Sequence, residues 1–473
     1  MKSINEIEFI ELLISNNHDE HFNYLVEINN SLDIELSNVT NSNKFINCKF
    51  QGKRMNFSNL LADVNDEIQH TFIFDHCEIL NDVYFKNCSL AELNFINISK
   101  PIKNLHLAPK KLGYFKFECK EDLEQEISNE INITVHNCEI LNYLDFLHLK
   151  SSGKLHIYSC VINRLKIHDS SFDRVDIEKS KFTSDFQFTL NNIKDSYFKY
   201  NEFEKSNFSL TDFGMDSEFR NNDFKGTALF ERLKNESKTR LKFKSCNFIK
   251  YAYFNKSNLY NLRIDTSKFQ ETASFQELQL NSVFIDRTIF EKPVFFDDIE
   301  ISNFRNCNKK TLRNIKQQLL RADNKIDYDK FRVHELNSYK NELQRQLANG
   351  KKGGRNKLHS DLWILRIGTF FSNNGTDWQK AVGRTLFVAI LFYSVFYALH
   401  NFSREINLTN PSNYNEYFIG LFRYFLITDF HNPLVSEREY LEKAWEWIPF
   451  IVGKILIGIG LYEILVSFRK FKK

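Results

Sequence analysis

Apolar residues return every five positions along most of the first 300 residues. Ile157, Ile162, Ile167, Phe172, Ile177 and Phe182 form one such run, and Phe45, Phe50, Met55, Leu60 and Phe198, Phe203, Phe208, Phe213 form two more. Neither a strand, with its period of two, nor an α-helix, with its period of 3.6, brings residues five apart onto one face. A square coil does: four sides of five residues, each sending one side chain inward. A second spacing agrees. Phe182, Phe203 and Phe224, then Phe248, Phe269 and Phe290, lie about one coil plus one residue apart, which predicts ladders of residues stacked along a rod.

The position two before each central apolar residue is small: Ser170, Ser180, Ser206, Ser257 and Ser267, with cysteine in the same slot at Cys48, Cys77, Cys88, Cys138, Cys160 and Cys246. In this register the chain, over roughly 40–300, resembles the pentapeptide-repeat family. The resemblance implies a right-handed quadrilateral β-helix, with Phe and Leu ladders inside and the small residues filling the space between them. About 12 coils, hydrogen-bonded about 4.8 Å apart, would make a rod on the order of 55–60 Å long.

Residues 1–40 lack the repeat, and Glu6, Glu8, Glu11, Leu12 and Leu13 predict a polar-faced helix capping the first coil. The repeat domain is then expected over 41–308. Pro101, Pro109 and the charged run from Lys120 to Glu130 predict an insertion or distorted coil near 98–133 that projects from the rod as a candidate partner contact. From 309 to 376 the pattern is helical, with Leu312, Ile315, Leu319 and Leu320 on one face and Phe331, Leu336, Tyr339 and Leu343 continuing it. Lys351-Lys352-Gly353-Gly354-Arg355 ends this segment. Trp363, Ile364, Ile367, Phe370 and Phe371 follow as an aromatic stripe that suits either an interfacial helix or packing on the preceding helices. Two stretches in 377–473, about 381–399 and 447–468, are long and apolar enough to span a bilayer.

Charge sharpens the membrane reading. A formal net charge of +3 conceals an acidic balance in 1–300 and a basic excess after 301, most of it between Lys309 and Arg384. Next to an apolar span, that excess reads as a cytoplasmic juxtamembrane flank. It lacks the interleaved aromatics of a nucleic-acid surface, so no nucleic acid is expected as partner. Lys380 and Arg384 stand at the start of the first span, Arg469, Lys470, Lys472 and Lys473 follow the second, and the loop 403–446 is net acidic. With Trp378, Trp445 and Trp447 as interfacial anchors, the positive-inside rule predicts two spans with both termini cytoplasmic.

The eight cysteines form no CxxC and no cluster of zinc spacing, and six stand where the repeat wants any small residue. They are expected to be reduced and structural. No secretory signal is apparent at the start, which again places the solenoid in the cytoplasm. His18-Asp19-Glu20-His21 reads as a solvated helix end rather than a ligand set. No nucleophile elbow, P-loop, Rossmann glycine pattern or HExxH occurs, so neither an enzyme nor a cofactor nor a bound metal is expected.

The loop between the spans carries the remaining chemistry. An amphipathic stretch, Tyr414 to Ile427, leads into Thr428-Asp429-Phe430-His431-Asn432-Pro433 and then a span containing Gly453, Gly458 and Gly460. That order resembles the two-transmembrane pore module of potassium-channel-like proteins. It departs from it where the filter should stand, with Leu426-Ile427-Thr428-Asp429-Phe430 in place of a TVGYG-type sequence, so potassium selectivity does not carry over. Thr428, Asp429, Asn432 and Glu463 are the pore candidates, Lys454 is a second ionisable residue within the span, and the three glycines are candidates for close helix packing between copies. The C-terminal part, about 310–473, also resembles the tail of bacterial membrane proteins that carry pentapeptide repeats. The shared marks are Ser372-Asn373-Asn374-Gly375 with Trp378, Asn432-Pro433, and Tyr462-Glu463 leading to Phe468-Arg469-Lys470-Phe471.

These readings give an expected location in the bacterial inner membrane and an expected partnership with the lipid bilayer, further copies of the chain and an unidentified cytoplasmic protein. Two functions compete. In one, the solenoid senses a partner and is coupled to an oligomeric pore, as a stress or phage-defence effector that permeabilises the membrane. In the other, a non-conducting anchor tethers the solenoid as a docking scaffold. DNA mimicry, as in acidic pentapeptide proteins that bind topoisomerase, fits poorly with so mild an acidity and a membrane anchor.

Overall fold

The period of five is realised as a parallel β-solenoid of about 13 turns, followed by helices. The computed structural model describes all residues except 16–19, 40–41, 59–69, 99–101, 120–129, 237, 350–354, 402–410, 436–438 and 470–473. Leu60, His18, Asp19, Pro101, the loop at 351–354 and the basic tail after Arg469 therefore lie outside the described residues. The chain divides into two units, Met1–Ala322 and Asp323–Lys473.

In the first unit each strand pairs in parallel with the strand one coil on. One continuous sheet runs from Lys2–Ile4 through Tyr24–Glu35 and Lys49–Ser58 to Glu300–Ile301. The predicted ladder is present residue for residue: Phe182 pairs with Phe203, Phe203 with Phe224, Phe224 with Phe248, Phe248 with Phe269 and Phe269 with Phe290. Their rings stack at centroid distances of 4.4–5.1 Å. A second ladder runs Phe208, Phe230, Phe254, Phe275, Phe296 at 4.6–5.0 Å. Stacked rings gain about 0.5–1.5 kcal/mol per pair beyond burial, repeated along the whole axis.

The small slot has a backbone cause. The residue before it is left-handed: Asn47, His76, Asn87, Asn137, Ser159, Asp169, Lys179, Tyr200, Ser245 and Thr266 have φ between 45° and 58°. At these positions a short side chain fills the corner, whereas Leu149, Leu233, Leu278 and Ile299 follow the left-handed His148, Arg232, Glu277 and Asp298. The short side chain then binds the neighbouring coil: Ser180 Oγ accepts from Cys160 N at 3.2 Å, and Asn201 Oδ1 accepts from Ser180 N at 2.9 Å. The six slot cysteines are all buried, and all eight cysteines are free. Burial pushes the Cys88 and Cys246 thiols up to about 12. Both should therefore react with a bulky thiol reagent at least about a hundredfold more slowly in the native protein than after unfolding. Native labelling as fast as that of the unfolded chain would show that the slot does not face inward.

Three expected boundaries change. The capping helix exists: α1 (Glu6–Ile14) starts with a capping box in which Asn5 accepts from Glu8 N and Glu8 Oε2 accepts from Asn5 N, and it lays Phe9 on Phe45 and Phe50. Yet the sheet already begins within 1–40. Val26, Ile28, Leu32 and Ile34 alternate inward along a strand paired with 49–58, and that period of two hid the coil. Within the expected insertion at 98–133, Asn104–Ala108 and Lys111–Cys119 are regular coil strands with Leu105, Leu107, Leu112, Phe115 and Phe117 buried, while the charged run over 120–129 lies outside the described residues.

Finally, α2 (Lys309–Arg321) belongs to the solenoid unit rather than to a linker. Leu312, Ile315 and Leu319 are buried on its inner face, while Leu320, expected with them, is exposed. Thr311 Oγ1 accepts from Ile285 N at 2.8 Å and donates to Ile285 O at 3.2 Å. The helix thus closes a sheet edge that would otherwise offer unpaired backbone to another chain.

Candidate functional site

The second unit holds α3 (Lys325–Ala348), α4 (Arg355–Ser372), α5 (Trp378–His400), α6 (Pro411–Phe425) and α7 (Ala444–Arg469). Helices α5 and α7 contain the two stretches long and apolar enough to cross a membrane. They pack antiparallel, as the order of their contacts shows. Trp378 meets Phe468 (5.4 Å between rings), Thr385 meets Gly460, Phe392 meets Gly453, and His400 Nδ1 lies 3.2 Å from Glu446 Oε2. Between them, α6 inserts Tyr424 into a core of Ala389, Tyr393, Phe396, Leu441, Phe450 and Ile457. The Tyr424 hydroxyl donates to Pro449 O at 3.0 Å.

Helix α6 is apolar on two sides rather than amphipathic. Tyr417, Leu421 and Tyr424 pack inward, while Tyr414, Phe418 and Phe422, four residues apart, are exposed. Arg423 is used locally, its Nη1 donating to Val435 O at 2.9 Å.

Two polar joints hold the helices together. At the first, the buried Lys454 of α7 donates from Nζ to Leu426 O and Asp429 O, each at 2.6 Å, just past the end of α6. Its ammonium also lies 4.9 Å from the Phe450 ring centroid, 5.5 Å from that of Tyr424 and 6.0 Å from that of Phe430. The cation ties together the two carbonyls of the turn after α6, of which Leu426 O also accepts from Asp429 N at 3.1 Å. At the second joint, Ser372 ends α4, its hydroxyl donating to the Glu463 carboxylate of α7 while accepting from Gly375 N at 2.6 Å. Asn373, Asn374 and Gly375 are consecutively left-handed, with φ of 52°, 60° and 83°. Arg332 of α3 donates to Asn374 O at 3.1 Å, and Lys380 of α5 to Thr369 O at 3.0 Å. One turn therefore gathers contacts from α3, α4, α5 and α7.

The sequence-predicted residues fall into these joints unevenly. Asp429 lends its backbone carbonyl to Lys454, and its carboxylate accepts from His431 N (3.1 Å) and pairs with His431 Nδ1 (2.7 Å). The His431 hydrogen bond holds that carboxyl below the usual carboxylate range. Thr428 is exposed beside it. Asn432 is buried and shapes the turn, its Oδ1 accepting from Leu434 N at 3.1 Å and its N–H donating to Glu439 O at 2.8 Å.

Gly453 and Gly460 serve close packing inside one chain. A Cβ on Gly453 would stand 2.0 Å from Tyr424 Oη, and one on Gly460 would stand 2.2 Å from Thr385 Oγ1. Gly458 alone of the three faces open space. Residue-type reasoning missed Arg332, Thr385, Tyr424 and the His400–Glu446 contact. Only the Asn-Asn-Gly run, residues that tolerate left-handed backbone, signalled the second joint.

No family model matches the chain, and neither does any curated protein or solved structure.

Proposed function

We propose that this chain is a membrane-tethered scaffold, in which an α5–α7 hairpin anchors a cytoplasmic solenoid that docks a protein partner. The observation that carries this reading is where the polar and small residues of the second span are used. Lys454 is bound to the carbonyls of Leu426 and Asp429, Glu463 to Ser372, and Gly453 and Gly460 to side chains of the same chain. Groups that would line an aqueous path between copies are satisfied within one copy. The five-residue register supports a right-handed coil of pentapeptide type. The basic flanks support a bacterial cell-membrane location with both termini inside.

Reporter fusions at Lys473 and within 408–416 are expected to fall in opposite compartments, and the same compartment for both would refute the hairpin topology. Purified full-length protein in liposomes is expected to pass ions no faster than empty liposomes. The second reading, an oligomeric pore acting in stress or phage defence, draws on α6. This helix sits between two spans and ends in a turn of inward carbonyls, as a pore helix would. Cation flux by an oligomer, reduced in selectivity by Asp429→Asn, would replace the scaffold with the pore.

A further inference from the structure

Helix α4 has two unlike faces. Leu362 and Phe371 are buried, whereas Trp363, Ile364, Arg366 and Phe370 are exposed, Trp363 to 61%. Trp363, Arg366 and Phe370 stand three and four residues apart, which makes them one stripe of the helix. The Arg366 guanidinium lies 5.9 Å from the Trp363 ring centroid, and the Arg384 guanidinium of α5 lies 4.9 Å from that of Phe370. Among the described residues, neither arginine has a carboxylate at ion-pairing distance. Lys380, the other cation at this end of the span, is already committed to Thr369 O.

Depth makes Arg384 informative. It is six residues into α5, about 9 Å along the axis, and is followed by the exposed Leu386 and Phe387. An outward guanidinium there must reach back toward the interface and find a counter-anion, because the hydrocarbon of the bilayer supplies neither water nor an anion. Guanidinium matches phosphate through two parallel hydrogen bonds, and tryptophan beside it suits the headgroup level.

We propose that Trp363, Arg366, Phe370 and Arg384 form a docking stripe for the headgroup phosphate of an anionic phospholipid. The assignment rests on the anchoring reading and adds to it the lipid class and the residues that select it. Phosphatidylcholine offers the same phosphate but covers it with its own cation, so the stripe should prefer phosphatidylglycerol.

The test uses full-length protein in nanodiscs made from an equimolar mixture of phosphatidylcholine and phosphatidylglycerol, with the lipids retained after mild extraction quantified by mass spectrometry. Wild type is expected to retain phosphatidylglycerol over phosphatidylcholine at a ratio of about three to one, against one to one in the bulk. Arg366→Gln/Arg384→Gln should fall to the bulk ratio, Arg366→Lys/Arg384→Lys should lie between, and the solenoid control Lys250→Gln should match wild type. Inorganic phosphate added to pure phosphatidylcholine discs should cause no shift in melting temperature, since the source is a bilayer headgroup. Bulk-ratio retention by wild type, undiminished enrichment in the double glutamine variant, or a melting shift with free phosphate would each overturn the proposal. If the double variant does not fold, Arg366→Gln alone, on the exposed face of α4, decides between a lowered and an unchanged enrichment. Failure of the protein to enter discs at all would overturn the anchoring reading instead.

Discussion

Methionine at position 454 is expected to release the 426–430 turn while leaving α5 and α7 formed. The Lys454 ammonium makes two hydrogen bonds to carbonyls, at 2.6 Å each. Hydrogen bonds to a charged group contribute about 1.5–3 kcal/mol apiece, and the facing rings add about 0.5–2 kcal/mol. Against this stands the cost of a charge within a span, about 2.5–3.5 kcal/mol. At the middle of these ranges the favourable side exceeds the cost by about 2–3 kcal/mol, so Lys454→Met should lower global stability by about that amount. The local result is different, because the carbonyls of Leu426 and Asp429 lose the group that holds them against α7. Amide exchange across 426–435 should accelerate at least about tenfold, the equivalent of about 1.4 kcal/mol in local opening. Lys454→Glu should do far more. It sets an acceptor against two acceptors beside the Asp429 carboxylate, at a cost of about 3–5 kcal/mol. Wild-type exchange in the methionine variant, together with wild-type melting in the glutamate variant, would falsify the latch.

The Lys454 joint shows where sequence reading stops. The lysine was visible as an ionisable residue in an apolar span, which by residue type points to an aqueous path. Its partners are main-chain carbonyls 25 and 28 residues earlier, and a carbonyl has no residue identity to read. Glu463 has the same history, with its partner Ser372 91 residues away. The glycines were legible as small residues that permit close approach, but which helix approaches depends on rotation about the axis. Gly453 and Gly460 turn toward α6 and α5, whereas Gly458 does not.

The solenoid was far more legible, because each of its rules is local. An inward Phe or Ile every five residues and a short side chain two places earlier follow from the geometry of a single coil. Hence the spacing alone pairs Phe182 with Phe203 and predicts a coil count within about one turn of the observed one. The left-handed corners are not legible, although most of the small slots follow one. They are occupied by residues as different as Asn137, Lys179, Tyr200 and Arg287. Closure of the coil and its hydrogen bonds to both neighbours override the usual preference for glycine or asparagine there. Where the local signals point elsewhere, as with Pro109 or the alternating Val26–Ile34 strand, the coil runs through a stretch that lacks its five-residue signature, although the buried residues keep the register.

Alanine substitutions at the three glycines of α7 should separate the packing roles by sign. Gly453→Ala places a methyl 2.0 Å from Tyr424 Oη and 2.8 Å from Phe392 Cβ, and Gly460→Ala places one 2.2 Å from Thr385 Oγ1. Such overpacking costs about 1–3 kcal/mol at each site. Gly458 has nothing within 4 Å, so Gly458→Ala should gain up to about 1 kcal/mol from helix propensity alone. Tyr424 cannot swing aside freely, because its hydroxyl is bound to Pro449 O and its ring lies in the core. Removing that hydroxyl by Tyr424→Phe should cost about 1 kcal/mol in the wild type, yet it clears the nearest clash in Gly453→Ala. The double variant should therefore be more stable than the sum of the single losses by about 1 kcal/mol or more, a coupling that a double-mutant cycle measures directly. Additive losses at 424 and 453 would mean that α6 does not pack on α7 through this pair. Gly458→Leu carries the same logic to the oligomer. An anchor working as a single copy tolerates leucine on this open face, whereas a pore whose second spans meet there loses its assembly, and size-exclusion with light scattering in detergent distinguishes the two.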